Sequence, residues 1–108
     1  KEGITISETY NITLDSQLGE RLGTLTLDGN GRSVSGIISL LGFDNAVSGI
    51  YEAGVLYLKH ELHTLVASHK CSSVIRLNDG TLSGIIRTGR AAMQLRGTRV
   101  SPDTEDNK

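Results

Sequence analysis

Turn signals recur along the chain at intervals that leave room only for short segments of secondary structure. Their centres fall near residues 18, 30, 43, 53, 68, 79 and 89, so that neighbouring signals are 10 to 15 residues apart. Asp-Gly and Asn-Gly pairs among them supply the positive φ that tight hairpin turns require. Short segments at this spacing are typical of an all-β sandwich or barrel. Seven turns predict eight strands, at residues 4–15, 21–28, 32–41, 46–52, 55–66, 71–78, 81–88 and 91–100.

One of these segments, residues 55–66, also fits a helix. Its apolar residues satisfy the two-residue spacing of a strand about as well as the spacing of a helix. No good N-cap residue precedes it, which favours the strand. As a strand it presents one face made of Leu56, Leu58, His60 and Leu62.

A glycine-centred repeat lies inside the predicted strands. The copies are Val34-Ser35-Gly36-Ile37-Ile38, Val47-Ser48-Gly49-Ile50-Tyr51, Leu82-Ser83-Gly84-Ile85-Ile86 and the degenerate Leu95-Arg96-Gly97-Thr98-Arg99. Glycine weakens the middle of a strand unless the sheet bends sharply there or something approaches closely. Because alternation places these glycines on the inner face at similar heights, we favour bends that close the sheet over a ligand cleft.

These patterns predict an all-β protein, a single closed or nearly closed eight-stranded antiparallel meander barrel. An even number of meandering strands lets the first and last pair, which removes exposed sheet edges. We assign residues 1–100 to this barrel and residues 101–108, which contain no apolar side chain, to a disordered polar tail.

The segments Gly23-Thr24-Leu25-Thr26-Leu27 and Val47-Ser48-Gly49-Ile50-Tyr51, together with Gly36, resemble small up-and-down barrels of the calycin kind. That group includes avidin-like proteins, lipocalin-like bacterial proteins and barrels of the allene-oxide-cyclase type. The resemblance implies the architecture and no ligand. Avidins stack biotin against several tryptophans and lipocalins carry a Gly-x-Trp near their start, whereas this chain has no tryptophan.

Charge and cysteine content exclude several classes of protein. The formal net charge of the 108 residues is −1, which excludes a strongly basic nucleic-acid binder and makes nucleic acid an unexpected partner. The single cysteine, Cys71, excludes a disulfide scaffold and favours a reducing compartment such as the cytoplasm. No apolar run reaches the length of a membrane-spanning helix and no signal peptide is apparent, so no membrane partner is expected. Five arginines still enrich the last three strands in positive charge, as a weak anion-binding surface would: Arg76, Arg87, Arg90, Arg96 and Arg99.

Alternation also places apolar residues on the outer face, where they are candidates for an interface. Ile37, Ile50 and Ile85 each follow a strand glycine and point outward, and Leu41 and Tyr57 are predicted to join them. Contiguous exposed apolar patches mark interfaces. No amphipathic helix is available to cover them, so we expect a homo-oligomer or, equally, contact with another domain of a parent chain.

Four polar or aromatic residues are candidates for a ligand site within the barrel. Tyr10, Tyr51, His60 and Arg99 are predicted inward on the first, fourth, fifth and last strands. A few polar groups in an apolar cup are how small-molecule sites are built, although the same groups can simply close the mouth of a barrel. A buried Arg99 would need a carboxylate partner, for which Glu8, Asp15 and Glu52 are available.

Metal binding and catalysis have little support in the sequence. His60 and His63 would point to opposite faces of a strand, and His69 falls in a predicted turn, so no metal site and no cofactor is expected. Cys71 has no patterned partner, and no Gly-x-Ser-x-Gly motif occurs, so no catalytic residue is assigned. We therefore expect a non-catalytic binding or interaction module that self-associates and that can hold a small apolar ligand. The alternative is a small barrel isomerase or cyclase that acts on an apolar substrate in an open lumen.

Overall fold

Short alternating segments joined by tight turns form eight antiparallel strands and no helix in the computed structural model, which describes residues 5–16, 19–40, 42–63, 68–89 and 91–100. The strands are β1 (Thr5–Ser16), β2 (Gly19–Asn30), β3 (Ser33–Leu40), β4 (Phe43–Glu52), β5 (Val55–His63), β6 (Ser68–Asn78), β7 (Thr81–Arg87) and β8 (Ala92–Arg99). They follow one another in chain order, and β8 pairs with β1 to close the barrel. The predicted fold class is therefore confirmed, and residues 55–63 form a strand rather than a helix. The described residues include no helix long and apolar enough to cross a membrane.

The register of the strands is staggered around the barrel. A row of paired residues that starts at Thr5 passes through Ser33, Tyr57 and Gln94 and returns to β1 at Asp15, ten residues further along that strand. A stagger of this kind accompanies the tilt that strands need to close into a barrel. The tilt brings residues that are far apart in sequence to the same height on the wall.

Several strands extend beyond the predicted bounds into segments that carry turn signals. β4 begins at Phe43 instead of residue 46, and β6 begins at Ser68 instead of residue 71. In β4 the reason is visible in the pairing, because Asp44 lies opposite Ser39 and accepts a hydrogen bond from its hydroxyl over 2.6 Å. Cross-strand contacts thus override the turn preference of the Asp-Asn pair. Two of our predictions, the interface residue Leu41 and the tail 101–108, lie outside the described residues, as does Arg90.

The strand glycines are positions where a neighbouring backbone leaves no room for a side chain. A Cβ atom at Gly49 would overlap the carbonyl oxygen of Tyr57, and one at Gly36 would overlap that of Thr26. In each case the carbonyl belongs to the residue before the glycine's cross-strand partner. The same contact occurs at Gly23, Gly84 and Gly97. The glycines therefore permit the tight coiling that closes the barrel, as the sequence predicted for the four repeat copies.

Aliphatic side chains fill most of the lumen. The buried apolar residues are Tyr10, Ile12, Leu14, Leu25, Leu27, Val34, Ile38, Leu40, Val47, Leu56, Leu58, Leu62, Cys71, Ile75, Leu82, Ile86 and Leu95. They come from all eight strands and form one cluster. An eight-stranded barrel has an interior just wide enough for its own side chains or one small ligand. Here the side chains occupy most of that space, so the middle of the lumen leaves little room for a ligand.

Candidate functional site

A small cavity opens at the end of the barrel where the β2–β3, β4–β5 and β6–β7 turns lie. Its volume is about 210 Å³. We call this cavity the tyrosine mouth; its lining residues include Glu8, Tyr10, Leu27, Val34, Tyr51, Leu56, Leu77, Asp79 and Arg99. Drug-sized ligands occupy pockets of about 300–1,000 Å³, so this mouth suits a smaller molecule.

Glu8 connects two of the predicted site residues at this mouth. Its Oε1 accepts a hydrogen bond from the Tyr10 hydroxyl over 2.7 Å, and its Oε2 accepts one from the Arg99 guanidinium over 3.1 Å. Tyr10 is 2% exposed, and burial, followed by the hydrogen bond to Glu8, raises the pKa of its hydroxyl above its ordinary value. Tyr10 is therefore a neutral donor held in place, not a phenolate.

Arg99 and Tyr51 complete the polar part of the tyrosine mouth. Arg99, which is predicted to point inward, lines the cavity from the end of β8, and its side chain is 44% exposed at the rim, where water reaches it. Glu8 is the partner that it takes, whereas Asp15 pairs with Arg96 and Glu52 with Arg32. The half-buried Tyr51 packs against the core and lines the cavity. Its hydroxyl forms no hydrogen bond with the described part of the chain.

His60 lies deeper in the barrel and does not join the other three predicted ligand residues. It faces the lumen between Val47 and Cys71 on the neighbouring strands, and its Nε2 lies 2.7 Å from the Ser73 hydroxyl. Burial lowers the pKa of His60 below its ordinary value, so the imidazole is neutral at pH 7. It is absent from the lining of the tyrosine mouth.

The remaining histidines and the cysteine do not assemble a reactive or metal-binding centre. His63 is exposed, and its Nδ1 bonds to the Oδ1 of the buried Asn45. Burial raises the pKa of Cys71, so its thiol is protonated and a weak nucleophile. Within the ranges that the structure covers, no three His, Cys, Asp or Glu residues lie close enough to hold a metal ion.

Exposed apolar residues form a continuous row across the outside of four neighbouring strands. Ile50 pairs with Tyr57, Tyr57 with Val74, and Val74 with Ile85. Ile50, Tyr57 and Val74 are 38%, 45% and 48% exposed, and Ile85 is half-buried. Since neighbouring strands lie about 4.8 Å apart, this outer apolar row spans roughly 15 Å. Ile37 is also exposed but pairs with Ala46, so it lies away from the row.

Charged residues flank the outer apolar row in an alternating pattern. On each strand from β4 to β8, one of the two outward residues next to the row is charged. This charged residue lies on opposite sides of the row in successive strands. On one side lie Lys59 and Arg87; on the other lie Glu52, Arg76 and Arg96. Arg96 pairs with Asp15 and Glu20, and Glu52 pairs with Arg32. The other three cations have no ion-pair partner among the residues described.

Sequence reasoning missed Val74 and Asp79. The alternation within β6 shows that Val74 points outward, but only the register across β4–β7 places it between Tyr57 and Ile85. Asp79 carried a turn signal, and nothing in the sequence placed this turn beside Tyr51 and Arg99.

The fold is an eight-stranded antiparallel meander barrel, an architecture consistent with the calycin kind. No family model, curated protein or solved structure matches the chain.

Proposed function

We propose that this protein is a non-catalytic interaction module that self-associates through the outer apolar row. The observation that carries the proposal is the continuity of Ile50, Tyr57, Val74 and Ile85 across four paired strands. Single exposed apolar residues are normal, whereas a contiguous row has a reason to be covered. Serines next to the row on β4, β6 and β7, namely Ser48, Ser72 and Ser83, supply part of the polar rim that surrounds the apolar centre of an interface.

The flanking charges permit a second copy of the chain as the partner. Two copies could pack face to face about a two-fold axis that runs along the row. Each residue beside the row would then lie opposite the residue on the other side of the row in the same strand of the second copy. Lys59 of one copy would then lie opposite Val55 of the other, Arg76 opposite Ser72, and Arg87 opposite Ser83. No charged residue would lie directly opposite another of the same sign. The second copy's Lys59 would also approach Glu52, the one carboxylate beside the row.

Sedimentation velocity with matched lysine substitutions tests this interface. Ile50→Lys buries a charge within the apolar row of the proposed contact, and we expect it to weaken self-association about tenfold or more. Ser48→Lys adds the same charge on the same strand and the same outer face, beside the row. It should weaken association much less. Equal effects of the two substitutions, or no effect of Ile50→Lys, would contradict an interface centred on the row.

A second candidate function is the binding of a small, largely apolar ligand in the tyrosine mouth. It is favoured by the cavity of about 210 Å³ in which Tyr10, Tyr51 and Arg99 meet over apolar walls. The isomerase or cyclase alternative has less support, because it needs an open lumen lined by both Tyr51 and His60. His60 does not line this cavity; it lines a separate depression beside Asn45 and Cys71.

A further inference from the structure

We propose that the tyrosine mouth selects a small organic cation, an ammonium group on a compact apolar body, over neutral and anionic molecules of the same shape. This inference rests on the ligand-binding part of the proposed function and adds the charge of the ligand.

The lining of the mouth carries one more negative charge than positive. Its charged residues are Glu8, Asp79 and Arg99. Glu8 and Arg99 form an ion pair and neutralise each other, and Glu8 also accepts the Tyr10 hydroxyl. Asp79 has no ion pair with any residue that the structure describes. The charge left unbalanced at the cavity is therefore a carboxylate, which attracts a cation.

The other charged groups that the structure describes near this end of the barrel do not reverse that balance. Arg32 and Glu52 are paired with each other at 3.2 Å. Arg76 has no ion-pair partner among the described residues and lies near the same end, but its position in β6 places it on the outer wall, where it flanks the outer apolar row. Asp28 also lies on the outer wall and adds negative charge.

Two tyrosines give the cavity a second means of recognising a cation. The face of an aromatic ring attracts a cation within about 6 Å, and the attraction grows as water is excluded. Tyr10 is buried and Tyr51 half-buried, so both line a partly desolvated space. Leu27, Val34 and Leu56 form apolar walls for the body of the ligand. A volume of about 210 Å³ limits that body to a single ring or a short chain.

The experiment compares three probes that share a benzyl group and differ in charge: 2-phenylethylamine, 2-phenylethanol and phenylacetate. Each is titrated into ¹⁵N-labelled protein and followed by the amide shifts of Gly31, Asp79 and Gly80, which lie at the mouth. We expect saturable shifts with the amine and binding at least threefold weaker for the alcohol, with phenylacetate the weakest.

Two isosteric substitutions assign the preference to one carboxylate. Asp79 has a φ of 56°, a conformation that asparagine also adopts, so Asp79→Asn keeps the turn. It should weaken amine binding about threefold to fivefold and leave the alcohol unchanged. Asp28→Asn makes the same change of net charge on the outer wall and should have a smaller effect.

The outcomes separate this inference from the functions on which it builds. Equal binding of the amine and the alcohol would overturn the cation preference and leave a ligand mouth. Saturable binding of phenylacetate alone would also overturn it. Equal effects of the two substitutions would overturn the assignment of that preference to Asp79. If none of the three probes shifts the amide signals of the mouth, ligand binding at the tyrosine mouth is contradicted as well. The self-association proposal is tested separately by sedimentation velocity.

Discussion

Five strand glycines allow the strands to pack closely enough for this barrel to close: Gly23, Gly36, Gly49, Gly84 and Gly97. At each one, the space that a Cβ would take is occupied by the carbonyl of a neighbouring strand, and a backbone cannot move aside as a flexible side chain can. The sequence indicated this role for Gly36, Gly49, Gly84 and Gly97 because they repeat within alternating strands. It gave no such indication for Gly23, which stands outside the repeat.

Replacing one of these glycines by alanine should destabilise the fold. Gly49→Ala forces a methyl group against the Tyr57 carbonyl, and we expect a loss of about 1–3 kcal/mol in the free energy of unfolding, measured by urea denaturation. Gly89→Ala is the matched control, because nothing lies within 4 Å of its Cβ position. It should change stability by less than about 0.5 kcal/mol. Similar losses for both would show that overlap with the backbone is not the cause.

His60 makes the stability of the protein depend on pH. Burial lowers its pKa in the folded state, whereas in the unfolded chain the pKa returns to about 6.5. Between these two values the unfolded state binds more protons, so stability should be full above pH 6.5 and fall as the pH drops below it. Most carboxylates titrate at lower pH, so thermal denaturation between pH 7.5 and 5 isolates the effect.

Two histidine variants test this dependence. In His60→Gln the loss of stability below pH 6.5 should largely disappear, whatever its stability at neutral pH. His69→Gln, at an exposed position, should keep the wild-type dependence. An unchanged dependence in His60→Gln would contradict the assignment.

For the strands, the sequence predicts which face of the sheet a side chain points to better than it predicts which residues of neighbouring strands lie side by side. Alternation places Tyr57, Val74 and Ile85 outward from three separate segments, but a single sequence does not fix the register between strands. The outer apolar row appears only when four strands are aligned, and the same alignment separates Ile37 from it. Likewise, Asp44 and Asn45 read as a turn until their pairing with β3 is known.

The charges beside the row predict how self-association responds to salt. Lys59, Arg76 and Arg87 have no ion-pair partner within the part of the chain that the structure describes, so two copies that meet through this face bring like charges within a few residues of one another. Salt screens such repulsion. We expect the dissociation constant, measured by sedimentation equilibrium, to fall as sodium chloride rises from 50 to 500 mM. A constant that rises with salt would mean that the attraction of Lys59 for Glu52 outweighs the repulsion among the cations, and would contradict this prediction.

In the molecule as a whole, closure of the barrel determines which surfaces and cavities are available for binding. The pairing of β8 with β1 leaves no free sheet edge along that boundary, and the packed lumen leaves a cavity at the tyrosine mouth. The meander and its closure could be predicted, since they follow from turn spacing and an even number of strands. How far the lumen is filled could not, because it depends on how the stagger aligns side chains from all eight strands.

Native mass spectrometry of the wild-type protein tests whether this barrel associates with itself through the outer apolar row. We expect a species at a multiple of the 11.6 kDa chain mass, which reverts to the single-chain mass in Val74→Lys but persists in Asn11→Lys, a substitution on the outer wall of β1, away from the row. A wild-type protein that stays at the single-chain mass up to high micromolar concentration would contradict self-association through this row.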